Sequence, residues 1–417
     1  MNTIKLNKIN VEEKVVTYDY EVVGEWSVYF NKNISMEIEY SLDISAVPKS
    51  VLAVSFISNI LPMIWLCDAT CYLNKVDKDF YDNLPLVKKG YEDMYPMFQF
   101  KGKIVADKIE SNIPNQKNAS ATFFSGGVDA YTTLLRHIDE KPHLVTLWGA
   151  DVKLDDVEGW SNVQSHIETV AKEYGLKYYI IKSNFRTVIN ESKLDYLVKE
   201  SLDAWWHGFQ HGVALIGHIA PLAHILGLKY AYIASSYPKN MKGQYTCASD
   251  PTIDNYVRYG GCRTIHDGYE WDRQDKIHFL VSKKNEGNPI SLRVCWVTKG
   301  GKNCCECEKC YRTILEIISE VGNPNEYGFN WDKQALIKCK KNMIYKITLK
   351  EEFSIKQYYY PIRENLLKNQ SKIQDYEKYQ WFTELDYAKF NDYPMKKFRK
   401  TFFYRILLKI YRVLIKR

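Results

Sequence analysis

Ser125, Gly126, Gly127, Val128, Asp129 and Ala130 follow the apolar run 121–124 and precede a helical pattern that buries Tyr131, Leu134 and Leu135. Strand, tight turn and helix start in that order make a phosphate cradle. Two glycines let backbone amides approach an anion, and the N–H groups and positive dipole end of the helix favour negative charge there. Asp129 adds a carboxylate able to hold Mg²⁺ directly or through water. A second group is Cys295, Cys304, Cys307 and Cys310, spaced C-x8-C-x2-C-x2-C within LRVCWVTKGGKNCCECEKCYRT. Four soft thiolates on short loops suit a tetrahedral zinc site, which is structural because it leaves no open position. Cys305 can substitute for Cys304 in this set, and an iron–sulfur cluster is the competing occupant.

A third group lies on the long polar and aromatic connection that starts at Ser235: Ser235, Ser236, Asp250, Asp254, His266, Asp267 and Glu270, followed by Arg273 and Lys276. Ordered loops of this length are usually functional, so residues 237–272 are expected to form a lid that selects the substrate. Arg273 and Lys276 stand three apart, a spacing at which both can face one phosphate or acyl phosphate. His207, His211, His218 and His224 recur at helical intervals, but no three share a line with a carboxylate. The expected reading is therefore not a metal face, with His211 beside Gly212 the best active-site member. Cys67 and Cys71 read as two small buried residues.

The glycine turn resembles the SGGxDS signature of the PP-loop ATP pyrophosphatases, with Ala130 standing at the position that usually carries a hydroxyl. The segment order after it and the four-cysteine spacing resemble the 7-cyano-7-deazaguanine synthases of that superfamily, over roughly residues 118–318. The resemblance implies ATP, Mg²⁺ and structural Zn²⁺. It also implies an ATP-dependent ligase that adenylates a carboxyl or carbonyl group, borne by a small molecule or a protein, and releases pyrophosphate. It places the β and γ phosphates on Ser125, Gly126, Gly127 and the amides of Val128 to Ala130, and the adenine near Trp148 and Gly149. Asp129, Arg273 and Lys276 would be the catalytic residues. Two alternatives stand beside it: sulfur transfer to a nucleotide base through Cys247 or Cys262, and a non-catalytic nucleotide-binding protein, motivated by Ala130.

The elements that must position these groups fall into three expected parts. In residues 1–112, VVTYDYEVV, WSVYF and MEIEYSLDI are rich in β-branched and aromatic residues and predict an antiparallel α+β domain. The polar stretch 110–120 is a boundary. Beyond it HLVTLW, KYYIIKS and KYAYIASS alternate with helical patterns, which predicts a doubly wound, Rossmann-like parallel sheet over 118–318. Residues 323–417 read as a helical tail. Its end places Phe398, Phe402, Ile406, Ile410 and Leu414 four apart among basic residues, an amphipathic helix that can lie on an anionic membrane, a partner or the core. Nine positive charges between Lys396 and Arg417 turn a net +7 into −2 for the remainder, which argues against a broad nucleic-acid surface. The start MNTIKLNKIN has no apolar signal region, and Val51–Cys67, interrupted by Ser55, Ser58, Asn59 and Pro62, reads as a buried helix or strand pair. A cytoplasmic chain, with the last helix able to rest on the inner membrane face, is expected; a homodimer is left open.

Overall fold

The structure, a computed structural model, describes residues 1–114, 118–295, 297, 301–348 and 352–387. There are ten strands among the described residues: β1 (Asn2–Glu12), β2 (Val15–Val23), β3 (Met36–Tyr40), β4 (Ala69–Asp77), β5 (Lys103–Glu110), β6 (Ala119–Phe123), β7 (His143–Trp148), β8 (Tyr178–Ser183), β9 (Leu228–Ala234) and β10 (Arg263–Asp267). The run WSVYF, expected as a strand, is a short 3-10 helix over Glu25–Tyr29, and the expected antiparallel arrangement of residues 1–112 holds for β1, β2 and β3 while β4 pairs parallel with β1 and β5. The ten strands make one sheet in the order β10-β9-β6-β7-β8-β3-β2-β1-β4-β5. Six of the nine neighbouring pairs run parallel. This is an α/β fold with a large, mostly parallel sheet.

From β6 onward the strands are all parallel, and chain order reads 5-4-1-2-3 across the sheet. β6 is central: the chain leaves it toward β7 on one side and returns to β9 on the other. β3 joins this half to the first five strands by antiparallel pairing with β8, with Tyr40 opposite Ile181.

The chain divides into two compact units, Met1–Asp272 and Arg273–Arg417. Residues 1–112 and the strands after 118 thus share one sheet, because β3 pairs across to β8. Pairing between strands as far apart in sequence as β3 and β8 leaves no local mark at the polar stretch 110–120.

Helix Lys49–Leu66 is buried from Ser50 to Trp65. Together with the helical stretch Trp206–Leu226 it is long and apolar enough to cross a membrane, yet 89% and 72% of their apolar windows lie inside the protein. Its polar residues make the crossing with helix His211–His218: Ser55 donates to the Gly217 carbonyl at 3.0 Å and Ser58 to its own Val54 carbonyl at 2.8 Å. Cys67 caps this helix and Cys71 lies in β4, so the two share no helix face; burial pushes both thiols up to about 12. In the second unit helices run over Arg273–Asn285, Glu308–Ser319, Lys333–Thr348 and Glu352–Lys368. The basic stretch 396–417 lies outside the described residues.

Candidate functional site

The turn 124–127 leaves the carboxyl end of β6. The Phe124 amide donates to the Val145 carbonyl at 2.9 Å and Thr146 Oγ1 donates to the Phe124 carbonyl at 2.6 Å, which fixes the strand end against β7. Gly126 then takes φ +78°, a conformation a side chain disfavours. Gly127 is the N-cap of helix Val128–Arg136 and offers no side chain to the first-turn amides. Val128 and Ala130 are buried and seat the helix, Ser125 is exposed, and Asp129 is half-buried in the first turn. In open α/β sheets, ligands settle in the crevice at the carboxyl ends of strands where the order reverses. The Ser125–Gly127 turn occupies that position, between β7 and β9.

The side chains expected near the adenine have protein partners. Trp148 stacks on Trp160 with centroids 5.0 Å apart, and its Nε1 donates to the Lys153 carbonyl at 3.0 Å. Gly149, at φ +107°, passes so close to β8 that a Cβ would fall 1.9 Å from the Ser183 carbonyl oxygen. Packing of β7 on β8 therefore accounts for this glycine.

The segment 235–272 contains β10, which the sequence reading took as part of a lid. RTIHD is only five residues and carries charge at both ends, so it gives no apolar run to recognise. Its last residue, Asp267, receives Thr133 Oγ1 at 2.9 Å, faces His137 Nε2 at 3.1 Å and lies 3.5 Å from Arg136 Nε. Burial opposes ionisation of this carboxyl, but His137, Arg136 and Thr133 outweigh it and hold the group below the usual carboxylate range. Glu270 pairs with Arg136 at 2.5 Å. The end of the helix after the turn is thus tied to the 235–272 segment through two carboxylates, Asp267 and Glu270.

Asp254 is fully buried, its Oδ2 bonded to His266 Nδ1 at 2.8 Å and to the Ser249 hydroxyl at 2.7 Å. Burial raises its carboxyl despite the imidazole beside it. Asp250 caps the short helix Pro251–Asp254, and buried Ser235 donates to the Tyr237 carbonyl at 2.7 Å, while Ser236 is exposed.

The four cysteines converge. The Sγ atoms of Cys295, Cys304, Cys307 and Cys310 all lie within 4.8 Å of one another, with Cys295 to Cys307 and Cys304 to Cys310 both at 3.9 Å. Sulfurs at tetrahedral corners about 2.3 Å from one zinc stand about 3.8 Å apart, so the cluster fits a structural ion of that kind. Backbone amides support the thiolates: Cys304 Sγ accepts from Glu306 N at 3.4 Å and Cys307 N at 3.2 Å, and Cys307 Sγ from Cys310 N at 3.4 Å. Hydrogen bonding from Cys310 holds Cys307 down to about 5, and the same contact pushes Cys310 up. Four sulfurs this close ionise together only around a cation.

Cys305 is turned away at φ +55°, its Sγ accepting from Asn330 N at 3.3 Å. The set therefore uses Cys304. Asn303 was missed in the sequence: its Nδ2 donates to the Leu292 carbonyl at 2.7 Å and its Oδ1 accepts from Val294 N at 2.9 Å, which holds the first ligand's segment beside the other three. An asparagine beside a cysteine pair carries no distinguishing spacing.

Arg273 pairs through Nε with Glu316 at 3.2 Å and donates from Nη2 to Thr313 Oγ1 at 3.0 Å, both on helix Glu308–Ser319. Lys276 is buried one turn along helix Arg273–Asn285. Among the other histidines, His218 is buried between the Ala214 carbonyl and Ser183. Among the described residues, the four cysteines are the one group of His, Cys, Asp or Glu side chains close enough to share an ion.

No known protein family, no curated protein and no solved structure matches this chain.

Proposed function

We propose that this chain is an ATP-dependent ligase of the PP-loop type that adenylates a carboxyl or carbonyl group with release of pyrophosphate. The observation that carries this reading is the place of the Ser125–Gly127 turn, at the carboxyl end of the central strand where strand order reverses and at a helix start whose cap has no side chain. ATP bound there supplies the α phosphorus that the substrate oxygen attacks. The chain's own work is positioning and charge stabilisation, which carry most of phosphoryl chemistry. The Gly126 and Gly127 backbone would let amides meet phosphate oxygens, and the Asp129 carboxylate would hold Mg²⁺. Thr133 and Arg136 on the same helix and His137 at its C-cap grip Asp267 and keep that helix fixed to β10 while the phosphates load its N-terminus. The zinc-type cysteine cluster is structural.

Purified protein, ATP, Mg²⁺ and a panel of carboxylic acids test the reading. Pyrophosphate is released only with a carboxyl acceptor, and Asp129→Ala lowers the rate by roughly 100-fold or more. Nucleotide binding without turnover across the panel identifies a non-catalytic binder, the outcome that buried Ala130 in place of a hydroxyl favours.

A further inference from the structure

The loop that follows β9 folds back over the turn Trp206–Gln210, which is π-helical, a local distortion frequent at functional sites. That turn carries His207. Its Nδ1 faces both Asp203 oxygens, at 2.9 and 3.0 Å. Asp203 is itself fixed by the Ala204 amide at 2.8 Å and the Thr246 hydroxyl at 2.8 Å. An anion held on Nδ1 puts a proton there and turns Nε2 outward. Nε2 lies 3.4 Å from the Tyr237 hydroxyl.

The residues on either side of buried Cys247 are tied to this dyad. Thr246 on one side bonds Asp203, and on the other the Ala248 amide donates to the His207 carbonyl at 2.9 Å. Hydrogen bonding with Asp203 and then with the Cys247 thiol raises His207 to about 10 against the opposing effect of burial. The titratable groups facing the pair are Asp203, Tyr237, Tyr95, Tyr91, Tyr245 and His211. The three side chains do not form a chelate, since the four-cysteine cluster is the one ion-sized group among the described residues. They have instead the order of an activated nucleophile: thiol, imidazole, orienting carboxylate. Cys262 lacks such partners and burial pushes its thiol up to about 12.

We propose that Cys247 is a nucleophile, set by His207 and Asp203, that takes the activated acyl group from the adenylate as a thioester before an amine receives it. The acyl-transfer part rests on the adenylation reading above. The loop bearing Cys247 leaves the carboxyl end of β9, the strand beside β6. In the first step sulfur attacks the carbonyl carbon of the carboxyl–AMP mixed anhydride. The S–C bond forms, the C–O bond to phosphate breaks, AMP leaves with the electron pair, and the thiol proton resides on His207. An amine then attacks the thioester: the C–N bond forms, the C–S bond breaks with its electron pair on sulfur, the proton held by His207 returns to sulfur, and the proton lost from nitrogen passes to solvent. No oxidant or reductant is consumed.

The test has two readouts on the full chain. Iodoacetamide labelling of Cys247, followed by peptide mass spectrometry, outpaces that of Cys262; His207→Gln and Asp203→Asn each slow the Cys247 labelling at least tenfold with the circular dichroism spectrum unchanged. Separately, Cys247→Ser keeps ATP–pyrophosphate exchange with the carboxyl substrate but loses amide product. Labelling that is no faster than that of Cys262, is indifferent to His207→Gln, or does not occur overturns the proposal whatever ATP does. Rapid His207-dependent labelling with no exchange sinks the adenylation reading and the acyl transfer that rests on it, and leaves Cys247 as a reactive thiol set by His207 and Asp203.

Discussion

His218 is the most completely enclosed imidazole in the molecule's first unit that has both nitrogens engaged: Nδ1 donates to the Ala214 carbonyl at 2.6 Å and Nε2 accepts from the Ser183 hydroxyl at 2.9 Å. Burial disfavours its charged form and lowers it to about 4. Below the ordinary value near 6.5 the unfolded chain binds a proton that the folded chain refuses. The histidine's contribution is therefore intact above about pH 6.5 and is lost as pH falls toward 4. Between pH 7 and 5 the loss is about 2 kcal/mol by linkage. Urea unfolding of the wild type and His218→Gln at the two pH values checks this. The variant is less stable at pH 7, having lost two buried hydrogen bonds, yet its stability changes less on acidification; equal slopes would show that His218 is not the sensitive group. At this scale residue types are legible in a sequence but partners are not. Arg273 reads as a cation for phosphate, and its partner Glu316 cannot be read from spacing; Gly149 reads as room for an adenine, and its close approach to the Ser183 carbonyl cannot be read there either.

The four-cysteine loop shows what one element adds to spacing. Two overlapping C-x2-C turns aim amides at their own sulfurs, while Asn303 draws in the segment carrying Cys295. Cys305 differs from Cys304 only in direction, which spacing cannot encode and backbone geometry does. Elemental analysis of purified variants separates them: Cys305→Ser retains one zinc per chain, whereas Cys304→Ser falls well below one and unfolds at lower temperature. Loss of zinc in both variants would place the ion differently. The strand, turn and helix at 119–136 were equally legible, since a buried run, two glycines and a 3.6-residue apolar period are all local signals. β10 and the π-helical turn at His207 were not. The first is too short to show a period, and the second is a backbone distortion with no local sequence signal.

Across the whole chain, the sheet decides what can fold as a piece. Residues 1–112 supply five strands and the buried helix Lys49–Leu66, but β3 finds its outer partner only in β8, and Ser55 finds its acceptor only at Gly217. A chain cut at 118 leaves the β8 edge unpaired and strips the cover from helix His211–His218, exposing apolar surface of the kind that drives aggregation. A chain ending at Asp272 keeps all ten strands. Expression of 118–417 is therefore expected to give insoluble protein, and expression of 1–272 a soluble fragment with one cooperative urea transition. Near-ultraviolet circular dichroism of 1–272 should retain the tertiary signal of Trp26, Trp65 and Trp205, all buried within that fragment. If 118–417 were instead soluble and cooperative while 1–272 was not, the first five strands would be an independent domain and the junction at β3 and β8 a dispensable contact.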